Sequence, residues 1–261
     1  MARTSSTTLP AEALSRHVSA KQPTSLHISA HSIARGLVIV GVPLLLAHLF
    51  VLIMDFGFDR GYLFGLAAKF NLNNEMNFPT LVATLELLAC SVMLAANAHF
   101  RPGSHGQALG WWVLCAIFVF LGFDENISLH EMTSGPTLQL LQADWVPLYA
   151  WVLPYSVALL IAAAVLLPWF LKIERASQIR FVIAGTIFVS GALGIELLES
   201  ANASGTDPDA WADGTSQVEG TLRQALLTTV QECMEYVGAG YFLCALAQRL
   251  GGLTLGVTPV R

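Results

Sequence analysis

Apolar residues dominate six stretches of this chain, at roughly 36–54, 78–98, 108–124, 146–171, 181–199 and 224–247, with polar residues gathered in the gaps between them. Crossing a hydrocarbon layer of ~30 Å takes about 20 helical residues. The pattern therefore predicts an all-α polytopic membrane protein with six transmembrane helices. Pro147, Pro154 and Pro168 fall in the fourth stretch, so a kink or a late start is expected there. Between the first two stretches, RGYLFGLAAKFNLNNEMNFP mixes Leu and Phe with Arg60 and Lys69, the composition of a short helix lying in the membrane interface. Residues 1–32 are Ser/Thr-rich and basic with no apolar run, and read as a mobile cytoplasmic tail. The transmembrane domain then spans 33–250, followed by a short C-terminal tail at 251–261.

Composition agrees with the pattern. Of 261 residues, 54% are hydrophobic and 12% charged, about half the ~25% charged content of soluble domains. Cys90, Cys115, Cys233 and Cys244 stand singly on apolar stretches and read as core residues, not as a disulfide frame or a zinc knuckle. No phosphate-cradling, nucleophile-elbow or HExxH motif is present, and no basic face suggests nucleic acid as a partner.

The basic residues orient the bundle. Arg3, Arg16, Lys21 and Arg35 precede the first stretch, and Arg101 follows the second. Lys172, Arg175 and Arg180 follow the fourth, and Arg249 and Arg261 the sixth, leaving only Arg60, Lys69 and Arg223 on the opposite side. By the positive-inside rule both termini are cytoplasmic, as expected of a multi-pass protein of an inner (plasma) membrane.

With that orientation the acids converge. Glu86, Asp124, Glu125, Glu131, Glu196, Glu199, Glu232 and Glu235 all fall in the outer half of the membrane or at its outer edge, joined by His48 and His130. Glu196/Glu199 and Glu232/Glu235 are i,i+3 pairs, each sharing one helical face. In GFDENISLHE (122–131), Asp124 and Glu131 share a face if the helix continues, whereas Glu125 and His130 join them only if it breaks. A carboxylate inside the bilayer is costly, and three basic residues on that side cannot neutralise eight acids. Either several acids are protonated or bound cations compensate them.

Carboxylates with one or two imidazoles on facing helices are the donor type of di-iron and di-manganese bundle sites. Glu86, Glu196, Glu232 and Glu235 are the expected core ligands, with Asp124, Glu131, His48 and His130 completing the set. The Glu-x-x-His pairs usual in such bundles are missing, and Glu-x-x-Glu stands in their place. The reading is a metal-dependent membrane enzyme, iron favoured over zinc or manganese, acting on a lipid or quinone-like substrate. A cation- or proton-coupled transporter and a non-catalytic accessory subunit of a larger complex or oligomer are the alternatives.

DE-x5-E at the end of the third stretch, GIELLES in the fifth and QECMEY in the sixth resemble motifs of a group of uncharacterised six-helix bacterial integral membrane proteins. The resemblance covers the second to sixth stretches and implies the same six-helix fold.

Overall fold

A computed structural model of the chain describes residues 24–103, 106–141, 149–202 and 221–257. Residues 1–23, Pro147, most of the acidic loop after the fifth stretch and residues 258–261 lie outside that description.

The chain begins with strand β1 (Thr24–Ile28) and helix α1 (Ala30–Leu52), whose last turns open into a π-helix at Ile53–Gly57. A single helical turn, α2 (Ala67–Phe70), precedes α3 (Phe78–Phe100) and α4 (Gln107–Ile127). Two short helices follow, α5 (Leu129–Met132) and α6 (Ser134–Leu141), and then α7 (Val152–Phe170). Helix α8 (Arg175–Val189) passes through a π-helix at Ser190–Ile195 into α9 (Glu196–Asn202). Helix α10 (Leu222–Leu250) and strand β2 (Leu253–Val257) complete it.

Local chemistry sets these boundaries. Ser29 caps α1 by accepting the Ser32 N–H at 3.1 Å, and Asn77 caps α3 by accepting the Thr80 N–H at 3.0 Å. The fourth apolar stretch starts late, at Val152, so that Pro154 falls in the first turn, where its missing N–H costs nothing. Helix α10 ends at Gly251 in the left-handed conformation (φ 78°).

Five helical segments are long and apolar enough to cross a membrane: Ala30–Gly57, Phe78–Phe100, Gln107–Ile127, Val152–Phe170 and Arg175–Glu199. Helix α10 has 29 residues, the most of any helix, yet Gln231, Glu232, Glu235 and Gln248 dilute its hydropathy below theirs. It is the organising element, packed against α1, α3, α8 and the π-helix at 190–195. The usual inside-out pattern is reversed on the periphery. Val38, Leu46, Val92, Leu160 and Val165 are exposed along the outer faces, as a lipid-facing surface requires. The interior includes Cys90, Leu94, Trp111 and Leu246, all fully buried. Trp111 meets Trp169 edge-on at 4.8 Å, and the Arg249 guanidinium lies over it at 4.4 Å.

One expectation is corrected. Residues 24–28 and 253–257, both within the expected tails, pair as an antiparallel two-stranded sheet with Thr24 opposite Val257. His27 Nδ1 hydrogen-bonds Thr254 Oγ1 at 3.1 Å across it. Backbone pairing orders these segments although neither carries an apolar run long enough to be noticed.

Helix α8 and the π-helix that follows it approach α10 closely because of two glycines. A Cβ at Gly238 would stand 2.6 Å from the Phe188 backbone nitrogen, and one at Gly191 would stand 2.9 Å from the Gln231 carbonyl oxygen. Neither neighbour can rotate away, being main chain. Gly238→Ala is expected to cost about 1–3 kcal/mol by overpacking. Gly185→Ala, where a Cβ meets nothing within 4 Å, is expected to stay within about 0.5 kcal/mol. Thermal unfolding of the two variants in detergent measures the difference.

Candidate metal centre

GFDENISLHE does not continue as one helix. Ser128 adopts left-handed dihedrals (φ 52°, ψ 42°), and its N–H closes α4 by donating to the Asp124 carbonyl at 2.8 Å. The reversal turns the chain back over Asp124. The His130 N–H then donates to Asp124 Oδ1 at 2.8 Å, and His130 Nδ1 lies 3.4 Å from Asp124 Oδ2. The Tyr155 hydroxyl, from the first turn of α7, donates to Asp124 Oδ1 at 3.0 Å. The imidazole is also packed at 4.6 Å against the Trp151 ring. With Nδ1 turned to Asp124, Nε2 is the nitrogen left for another partner.

That partner site is built by the turn before α3. Asn77 Nδ2 donates to the carbonyls of Asn71 and Asn74, both at 2.6 Å, and Met76 has φ 52°, which together hold Glu75 against the end of α4. Glu75, His130 and Glu131 each bring a ligand atom within 4.8 Å of the others. Both glutamates keep a face exposed to solvent and the histidine is half-buried, so the trio is open to solvent.

The charges of this trio are tuned by their surroundings. Close packing around the Glu75 carboxyl pushes its pKa up, Glu131 beside it adds to the rise, and a hydrogen bond with Ser128 opposes both. Burial pulls His130 down, but the hydrogen bond to Asp124 and the negative charges of Asp124, Glu131 and Glu75 outweigh it, and the net shift is upward. Crowded carboxylates beside an imidazole are the electrostatic setting in which a cation gains most.

A second group of acids lies deeper. Glu232 of α10 is within electrostatic reach of Glu125, Glu235, Glu75 and Glu196, so acids from α4, α9 and α10 lie near one another and near Glu75. The π-helix at 190–195 adds a residue to the turn before Glu196 and so resets the face on which it emerges. Glu196 Oε1 accepts from Trp151 Nε1 at 3.3 Å, and Glu199 Oε1 accepts from the Thr228 hydroxyl at 2.8 Å. The Gln231 side chain hydrogen-bonds both Glu196 and Glu235, leaving its own Oε1 without a partner. No Lys or Arg forms an ion pair with these acids among the described residues.

Of the expected ligands, His130, Glu131, Glu196, Glu232 and Glu235 come together, with Asp124 beside them. Asp124 is already engaged by the His130 N–H and ring and by the Tyr155 hydroxyl, so it orients the histidine. Two residues are not brought in. His48 is fully buried with both ring nitrogens used: Nδ1 accepts the Leu72 N–H at 3.1 Å, so Nε2 donates to Thr229 Oγ1 at 2.9 Å. It anchors the turn before α3 and offers no free lone pair. Glu86 faces Gly240 of α10 instead of the other acids.

The sequence reading missed Glu75, placing it in an interfacial stretch. The cap residue Asn77 is the available signal, because a helix start at Phe78 puts Glu75 just ahead of α3, at the end of the bundle where α4 ends. Glu125 stays on α4 ahead of the break at Ser128, which turns His130 back to within its electrostatic reach.

Because folding raises the His130 pKa above its unfolded value of about 6.5, its contribution to stability is complete below that pH and is lost as pH rises through the folded value. Metal-free protein is therefore expected to lose thermal stability as pH rises above about 6.5, and Asp124→Asn to flatten that dependence. Unfolding scans after chelator treatment measure it.

No curated protein and no solved structure matches this chain. A family model described as "Domain of unknown function (DUF8692)" matches residues 36–250, nearly the whole helical region, and the chain belongs to that family.

Proposed function

We propose that this protein is a six-pass inner-membrane enzyme with a carboxylate–histidine metal site at its outer face, acting on a membrane-dissolved substrate. The observation that carries the proposal is the Glu75–His130–Glu131 trio, ligand atoms within 4.8 Å of one another, with Asp124 on the far nitrogen of the histidine. A carboxylate holding the distal nitrogen of a ligating histidine is the usual outer-shell arrangement of metal sites. Glu125, Glu196, Glu232 and Glu235 lie next to the trio and supply oxygen donors for a second ion.

The topology has its own support. Pairing of β1 with β2 brings the start of α1 and the end of α10 to the same end of the bundle, which fits an even number of passes with α10 as the sixth. Arg249 donates to the Arg101 carbonyl at 2.9 Å, so at least two of the basic residues used for orientation meet at that end. The acids occupy the other end, which becomes the outer face under the positive-inside rule.

The donor set is mostly carboxylate oxygen with one imidazole. It fits iron or manganese better than zinc, which favours more nitrogen or sulfur. A bound iron would supply redox and oxygen chemistry, whereas a bound zinc would supply Lewis-acid hydrolysis. The chain's own residues supply the rest. Asp124 holds the proton on His130 Nδ1, and Gln231 fixes Glu196 and Glu235 in relation to each other. Tyr155 stands between Asp124 and an apolar recess of about 510 Å³ lined by Phe120, Leu129, Met132, Pro136, Leu140 and Pro154. A recess of that size and character suits the chain of a lipid or quinone-like substrate.

Elemental analysis of purified protein tests the reading. Roughly stoichiometric iron is expected in the wild type, lost in Glu131→Ala and in Glu232→Ala. Asp124→Asn is expected to weaken metal affinity about 10–100-fold while leaving the ligands in place. Zinc instead of iron would move the reaction to hydrolysis. A wild type that binds no transition metal would sink the proposal, and cation-dependent flux in liposomes would then identify a transporter.

A further inference from the structure

Glu86 stands apart from the acids of the candidate centre. It is 4% exposed, and neither carboxylate oxygen has a hydrogen-bond partner among the described residues. A Cβ at Gly240 would lie 2.8 Å from Glu86 Oε1 and 2.8 Å from a Leu37 methyl, so the carboxyl fills the space that any larger residue at 240 would occupy. It sits where α1, α3 and α10 meet.

The groups facing it are few. Cys90 comes from α3, Tyr236 and Cys244 come from α10, and α1 contributes the apolar Leu37. None is cationic, and each donor among them is already spent. Tyr236 donates to the Leu37 carbonyl at 2.8 Å, Cys90 to the Ala239 carbonyl and Cys244 to the Ala30 carbonyl.

A buried carboxylate with no partner is not a stable arrangement, so something must compensate it. A metal cation would need about six oxygen ligands, and Glu86 supplies two in a seam whose hydroxyl is committed. The partner small enough for the seam is a proton. We propose that Glu86 is a proton-binding site separate from the outer acid cluster, a carboxylic acid held un-ionised in the seam between α1, α3 and α10. Its occupancy keeps the three helices together, since loss of the proton leaves a bare charge among Leu37, Gly240 and the aromatic ring of Tyr236.

Infrared spectroscopy of the full protein in lipid at neutral pH tests this directly. An un-ionised carboxylic acid shows a carbonyl stretch well separated from carboxylate bands. Glu86→Gln, which keeps the shape of the side chain, is expected to remove such a band while retaining the fold and the metal content. An unchanged carbonyl region in the folded variant overturns the proposal. Should Glu86→Gln not fold, dicyclohexylcarbodiimide on the wild type decides instead. The reagent adds the acid O–H across its C=N bond, and the acyl group then migrates to nitrogen, leaving a stable adduct with no atom lost. A Glu86 peptide carrying the adduct supports the site, and an unmodified peptide after treatment overturns it.

Discussion

The structure is governed by an imbalance of charge. Several glutamates from separate helices share one region of an apolar bundle, and among the described residues the basic side chain that joins them is a single histidine. In water the repulsion would be trivial, but in a low-dielectric interior it opposes the very packing that brings the helices together. The two glycine contacts of α8 and its π-helix with α10 hold the backbones close enough that Glu196 and the Glu232/Glu235 pair face one another despite that repulsion. Hydrogen bonds from Trp151, Thr228 and Gln231 soften it. None of these donors removes a charge, so the repulsion that remains has to be met by protons or by cations.

Helical irregularity places the side chains that matter. A straight α4 would carry His130 away from Asp124, and a straight α8 would present Glu196 on a different face. The left-handed turn at Ser128 and the π-helix at 190–195 each shift the phase of the chain by a fraction of a turn. Both sit beside the acids, where a local departure from the best helix geometry is offset by the contacts it permits.

Five of the six expected spans were legible because hydropathy over about 20 residues is a strong signal, and the expectation that acids from several helices lie near one another came from direction and depth alone. The break at Ser128 was not legible as a fact, since no glycine or proline marks it and serine rarely adopts that conformation. His48 misled for a different reason. A histidine within an apolar run looks the same whether it holds a metal or a backbone amide, and Leu72, its partner, lies in a turn whose path no periodicity reveals. Glu86 shared the depth of the other acids but not their facing, because depth along a helix says nothing of which neighbour it meets.

The central position of α10 has a consequence for assembly. It follows the other helices in the chain, yet it is the element on which α1, α3 and α8 converge, and its end completes the strand pair with β1. Without it, the earlier helices lack their common surface and the acids lack their opposing wall. The packing of the bundle is therefore completed by its last helix in chain order, and the acids of α4 and α9 meet those of α10 only when that helix is in place.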